Sequence, residues 1–124
     1  MYLNTFLPIF ENYLNKSNKK VTLSLNTNGI IFNQDLCDKL IKFQPRLAIS
    51  LDGPKEAHDK NRIDVFGKGT YDRVIEKIPL LLKNFPDAFC QATFTPDTIE
   101  YLSDSYFLAK DLGFKEWYWA PDIY

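Results

Sequence analysis

The sequence predicts an α/β domain in which about four parallel strands carry helices on their outer face, a partial (β/α) TIM-like half barrel. Three observations carry that prediction. Helical and strand-like hydrophobic periods alternate along all 124 residues, and strands separated by helices of about ten or more residues pair in parallel through right-handed crossovers. Each strand candidate alternates apolar with small, hydroxylated or charged side chains, whereas a parallel sheet buried on both faces reads as continuous apolar runs. Finally, the carboxyl end of every strand candidate is polar, and sites in parallel α/β folds gather there.

The elements follow in order. Leu3, Phe6, Leu7, Phe10, Tyr13 and Leu14 recur at helical spacing and predict a first helix over Thr5 to Asn15, capped by Thr5 with Pro8 in its first turn, where a missing N–H costs little. Val21 to Asn26 is a strand with Val21, Leu23 and Leu25 on one face and Thr22, Ser24 and Asn26 on the other. A second helix, Asn33 to Phe43, opens on a capping Asn33 and buries Leu36, Cys37, Leu40 and Ile41. In the next strand, Arg46 to Ser50, Leu47, Ile49 and the following Leu51 oppose Arg46, Ala48 and Ser50.

Thr70 to Asn84 carries Tyr71, Val74, Ile75, Ile78, Leu81 and Leu82 on one stripe, with Pro79 expected to kink or restart the helix. Phe89 to Thr95 sets Cys90, Ala92 and Phe94 against Gln91, Thr93 and Thr95. A helix over Asp97 to Leu112 ends on Gly113, a good left-handed stop. The last strand, Glu116 to Ala120, opposes Trp117 and Trp119 to Glu116 and Tyr118. One face of such a sheet packs under helices. The other resembles the lining of a wet, ligand-filled concavity, as inside an open barrel.

The four polar rims read Asn26-Thr27-Asn28-Gly29, Ser50-Leu51-Asp52-Gly53, Thr95-Pro96-Asp97 and Ala120-Pro121-Asp122. Taken singly, Thr95, Asp97 and Asn33 are accounted for as helix caps, and Asn28-Gly29 and Asp52-Gly53 as tight turns; together they outline a site. The stretch from Leu51 to Gly69 is the one long connection, and long loops in compact domains are usually functional. It holds the single histidine, His58, with Asp59 and Arg62. A guanidinium there can grip a carboxylate or phosphate at the strand ends, or pair structurally with Asp52 or Asp59. His58 has no second nucleophile or ligand beside it and is read as fixing the loop. Gly67-Lys68-Gly69-Thr70 lacks phosphate-loop spacing and is read as a turn followed by a helix cap.

Composition removes several function classes. Apolar residues make up 45% and aromatic residues 15%, with only 5 Gly and 7 Pro, so the chain folds. Fifteen basic against sixteen acidic residues give a net charge of -1, without the footprint of a nucleic-acid or anionic-membrane binder. No apolar run is long enough to span a bilayer. Cys37, Cys90 and His58 lie far apart, lacking the ligand spacing of zinc or iron-sulfur sites. That cysteine usage predicts a reducing, cytoplasmic setting without structural disulfides.

The segments Ser24-Leu25-Asn26-Thr27-Asn28-Gly29, Ile49-Ser50-Leu51-Asp52-Gly53-Pro54 with His58-Asp59 and Arg62, Gly67-Lys68-Gly69-Thr70-Tyr71-Asp72 and Thr93-Phe94-Thr95-Pro96-Asp97 resemble the middle of a radical SAM enzyme. More narrowly, they resemble anaerobic sulfatase-maturating enzymes and peptide-modifying maturases, a group with a C-terminal extension for auxiliary clusters. The resemblance covers nearly the whole chain. It implies a six-stranded partial barrel of which residues 1–124 form a single domain contributing strands three to six, with S-adenosylmethionine (SAM) bound across the strand ends. Ser50 resembles the hydroxyl that contacts the ribose or methionine portion, and Arg62 the arginine that helps hold SAM. Ile123 resembles an apolar backbone contact to adenine, with Thr27 and Asn28 beside cofactor or substrate and Asp52 and His58 shaping the loop.

The departures matter as much. The family's Cys-x3-Cys-x2-Cys cluster motif, its Gly-Gly-Glu-Pro motif and the downstream auxiliary cysteines are absent from this sequence. The [4Fe-4S] cluster is thus expected in a full-length enzyme only, and this chain alone is expected to be inactive. With Met1 directly before a helix that would follow a second strand, it reads as an internal piece. The implied function is the cofactor- and substrate-lining segment of an oxidoreductase that modifies a protein or peptide residue. The alternatives are a small α/β module holding a nucleotide-like ligand, and one forming a homo-oligomer through an exposed sheet edge.

Overall fold

A computed structural model of the chain describes residues 2–122. Helices α1 (Tyr2–Lys16), α2 (Gln34–Ile41), α3 (Lys55–Asn61), α4 (Tyr71–Asn84) and α5 (Leu102–Leu112) are interleaved with strands β1 (Ser24–Thr27), β2 (Arg46–Ser50), β3 (Phe89–Phe94) and β4 (Trp117–Pro121), α3 and α4 both lying between β2 and β3. The four strands form one sheet in the order β1-β2-β3-β4, every neighbouring pair parallel. The expected α/β class is therefore found. Register pairs Leu25 with Leu47, Ile49 with Cys90 and Cys90 with Trp117.

Those register partners share one face, and that face carries the core. Leu47, Ile49, Leu51 and Cys90 are buried against Leu36, Cys37 and Leu40 of α2, Val74, Ile78 and Leu81 of α4, and Ala109 of α5. On the opposite face Ser24 and Asn26 are exposed and Ser50, Gln91 and Thr93 half-buried, with the small Ala48 between them buried, so this face is only partly open, broadly as the alternation predicts. Toward its far end Arg46 lies over the Phe89 ring, 4.8 Å from the centroid, and Phe89 meets Tyr118 edge-on at 5.3 Å.

Several boundaries differ from the sequence expectation, each for a local reason. Helix α1 begins by Tyr2, so Thr5 is interior and caps nothing, and Pro8 falls within the helix, not in its first turn. Asn33 caps α2 as expected, accepting from the Leu36 N–H at 2.9 Å, but Ile41 stays exposed at the end of the helix. Helix α4 runs unbroken through Pro79. Asp97 starts no helix: Thr98 does the organising, accepting the Thr95 N–H on its hydroxyl at 2.9 Å, and a 3-10 turn, Ile99–Tyr101, leads into α5. Gly113 does stop α5, at φ +101°, a conformation costly for any residue with a Cβ.

Candidate functional site

The largest surprise lies in the long connection. Leu51 to Gly69 is not one loop: after Pro54 it forms α3, then a tight hairpin closed by an antiparallel bridge between Ile63 and Gly69. Asp64 holds the hairpin's turn, its Oδ1 accepting the N–H groups of Phe66 and Lys68 and its Oδ2 the Arg73 guanidinium. Those donors depress the Asp64 carboxyl below its ordinary range, the Lys68 N–H foremost. At the tip Val65 and Phe66 point into solvent, 92% and 83% exposed.

The connection folds back over the carboxyl ends of β2 and β3. Asp52, 3% exposed, lies two residues beyond Ser50. Arg62 grips it with two bonds, Nε to Oδ2 at 2.6 Å and Nη2 to Oδ1 at 3.0 Å, a forked geometry open to guanidinium but not to ammonium. Oδ1 also accepts the Thr93 N–H at 2.9 Å, so the carboxylate bridges two strands. Of the two roles open to Arg62, the pair with Asp52 is thus realised, and it fixes the guanidinium on the rim while 30% of the side chain stays accessible.

His58 sits beneath, fully buried. Its Nδ1 accepts the Asp52 N–H at 3.2 Å and its Nε2 lies 3.0 Å from Thr70 Oγ1. Burial lowers its pKa below the ordinary 6.5, against a weaker upward pull from Asp52. It fixes the connection, as its isolation in the sequence suggested. Thr70 does not cap α4 with its side chain, contrary to expectation: its hydroxyl donates to the Arg62 carbonyl at 3.1 Å. The cap comes from Asp59, whose Oδ1 accepts the Tyr71 N–H at 2.8 Å. Gly69 is required beside it, because a Cβ there would fall 2.1 Å from the Asp59 carboxyl carbon.

The remaining site candidates divide. Ser50 is on the open face at the end of β2, and its hydroxyl makes no hydrogen bond to the described residues. Thr27 pairs with Ile49, which puts Asn28 level with Ser50 on the neighbouring strand. Its Oδ1 accepts the Ile30 N–H at 3.1 Å and Thr27 Oγ1 the Gly29 N–H at 3.0 Å, so both shape the turn, with the exposed Asn28 amide nitrogen able to reach a ligand. Ile123 lies outside the described residues. The role of Asp59 was missed because a cap supplied from another helix has no local sequence signature. Helix α3 was missed because only Ala57 and His58 of its seven residues are buried, too few to show a period.

The donors present do not suit a metal or cluster. Cys37 and Cys90 are both buried, and burial pushes the Cys90 thiol up to about 12 and the Cys37 thiol upward, holding them protonated. Among the described residues no group of three or more His, Cys, Asp or Glu side chains could hold a metal ion. The rim instead offers polar groups that suit an organic ligand: the Ser50 hydroxyl, the Arg62 guanidinium fixed on Asp52, and the Asn28 amide.

No protein-family model matches the chain. Over 102 residues it is 31% identical to the cysteine-type anaerobic sulfatase-maturating enzyme of Clostridium perfringens, covering 82% of this chain and 27% of that protein. Over 75 residues it is 36% identical to the enzyme of the same description from Clostridium novyi, covering 58% of this chain and 20% of that protein. It superposes on the solved structure of native anSMEcpe with bound AdoMet and Cp18Cys peptide at a TM-score of 0.85 and 27% identity, covering 96% of this chain and 34% of that one. The chain thus spans about a quarter or less of the curated relatives' length and about a third of the solved one. By sequence and by fold, it is homologous to a segment of the anaerobic sulfatase-maturating enzymes, a radical SAM family.

Proposed function

We propose that this chain is the cofactor- and substrate-lining segment of a radical SAM oxidoreductase that modifies a protein or peptide residue in the cytoplasm, a single domain supplying strands three to six of its barrel. The observation that supports the reading is that Arg62 is held on Asp52, two residues beyond the half-buried Ser50 at the carboxyl end of β2. In this reading Ser50 hydrogen-bonds the ribose or methionine portion of SAM, Arg62 steadies its charged end, Asn28 adds an amide contact from β1, and Ile123 meets adenine.

When bound beside a reduced [4Fe-4S] cluster, SAM supplies radical hydrogen abstraction. In this reading the cluster's ligands are supplied from outside residues 1–124, and this chain alone binds without reacting. Its own contribution is to orient: the Asp52 carboxylate holds Arg62 in one fork, and the polar face keeps hydrogen-bonding side chains along the path a peptide would take. Titrating the 15N-labelled chain with SAM tests this. Amide shifts are expected at Asn28, Ser50 and Thr93, and a titration that moves none of them counts against the reading.

A second reading, a module that closes by pairing with another copy of itself, draws on β1, an edge strand that among the described residues pairs with β2 alone. A mass of two chains by light scattering would favour it, and a monomer at high concentration would remove it.

A further inference from the structure

We infer that His58 is a positioning residue for Arg62: as a neutral imidazole it ties together, from beneath, both partners of the Asp52–Arg62 pair, and taking up a proton unties them. This rests on reading Arg62 as a side chain that holds the cofactor, and adds the group that decides when Arg62 is in place.

The hydrogen-bond chain allows one assignment of protons. Thr70 Oγ1 has a single proton, and it is given to the Arg62 carbonyl at 3.1 Å. At 3.0 Å from the same oxygen, His58 Nε2 must then be the donor. Nδ1 is therefore bare, as its other contact requires, since it accepts the Asp52 N–H at 3.2 Å. Every polar group in the chain is satisfied only with the neutral Nε2–H tautomer. A proton added at Nδ1 would set two donors against each other across 3.2 Å.

The conflict falls directly on the Asp52 end, since a protonated ring still donates from Nε2 to Thr70. It reaches the Arg62 carbonyl only as the ring is pushed away from Asp52. On one side His58 holds the backbone of Asp52, whose carboxylate carries Arg62 and the Thr93 N–H. On the other it holds Thr70, which bonds the Arg62 carbonyl twice, from its N–H and its hydroxyl, both at 3.1 Å. The groups facing the ring are few. Asp52 beyond β2 and Asp59 on α3 favour a charged imidazole, Arg62 opposes it, and the Tyr71 ring of α4 packs edge-on at 5.9 Å. Lys55 pairs with Asp59 at 3.9 Å, weakening that carboxylate's pull. Burial outweighs the two acids, so the neutral form holds near neutral pH and yields on acidification.

Nitrogen NMR on the 15N-labelled chain reads this without any cofactor, so its failure and a failure to bind SAM are separate results. The His58 ring should show a bare Nδ1 and a protonated Nε2 near neutral pH. As the sample is acidified, the Arg62 Nε–H resonance should lose its distinct position with the same midpoint as the His58 ring, while an Ile49 methyl signal still reports a folded core. His58→Asn can accept from the Asp52 N–H and does not titrate, so it should keep the Arg62 resonance to a pH at least about one unit lower. An Arg62 resonance indifferent to the ring's titration, one lost only together with the Ile49 signal, or one lost at the wild-type pH in His58→Asn overturns the inference. If His58→Asn does not fold, the wild-type midpoints decide: coincidence supports, and separation by more than about one unit refutes.

Discussion

The Arg62 guanidinium meets the Asp52 carboxylate through two bonds, 2.6 and 3.0 Å long, at the point where the long connection crosses the ends of β2 and β3. Asp52 is almost wholly enclosed, and Arg62 supplies two of the three bonds recorded to its carboxylate, the Thr93 N–H supplying the third. Arg62→Ala should therefore lower the unfolding free energy by about 2 kcal/mol, less than for a fully buried pair because Arg62 is partly solvated. Arg62→Lys should recover only part of that, since an ammonium cannot fork. Urea denaturation measures both, and equal stability of the two variants would show that the fork contributes nothing.

His58 makes stability depend on pH, with a definite sign. Its folded pKa lies below the ordinary 6.5, chiefly through burial. The stability it contributes is full above about pH 6.5 and is lost as the pH falls below that, at up to about 1.4 kcal/mol per unit until the folded group also protonates. Urea midpoints at about pH 7.5 and 5.5 should differ in the wild type and differ less in His58→Asn. A wild-type midpoint that rises on acidification over this window reverses the sign and contradicts the buried neutral assignment.

Two glycines of the hairpin separate space from backbone conformation. At Gly67, φ +77° with nothing within 4 Å of an added Cβ, alanine should cost about 1 kcal/mol, the strain of a left-handed residue. At Gly69 the Cβ strikes the Asp59 carboxylate that caps α4, and alanine should cost about 2 kcal/mol or more by pushing that cap away. Thermal melts of Gly67→Ala and Gly69→Ala should keep that order; the reverse order would mean Asp59 moves aside freely.

The sheet's two faces should answer mutation differently. Ile49→Ala, at a fully buried position, should cost about 2–5 kcal/mol. Gln91→Ala on the open face should stay within about 0.5 kcal/mol. Comparable losses at both would mean the polar face is packed.

The strand alternation made the fold legible in advance, because a sheet with one wet face writes its burial directly into every second residue. Leu47, Ile49 and Cys90 fell on the covered side and Ser24, Asn26 and Ser50 on the open one for that reason. The ends of elements were less legible. Thr5, Thr70 and Asp97 have good capping chemistry, yet the backbone is satisfied instead by helix extension, by Asp59 from another element, and by Thr98. Of the candidate site, Arg62 could be singled out from residue type and position, while Ser50 and Asn28 came from the family resemblance. The Asp52–Arg62 pair was legible only as one of two alternatives, and the His58 bonds to Asp52 and Thr70 not at all, since they join residues six and twelve positions apart through contacts that no periodicity encodes.

Ser50→Ala removes a hydroxyl that makes no hydrogen bond to the described residues, so its stability should stay within about 0.5 kcal/mol while SAM affinity falls by about fivefold. Calorimetric or NMR titration of the variant measures the second, and unchanged affinity would leave Ser50 as filler on the rim.

The most direct measurement is of intermolecular NOEs between SAM and the 13C-labelled chain. Contacts from ribose or methionine protons to Ser50, Asn28 and the Arg62 side chain are the expected result. Contacts that fall instead in the groove of about 380 Å³ between α1 and α2, at Leu7, Pro8 and Lys42, would contradict a cofactor site at the strand ends.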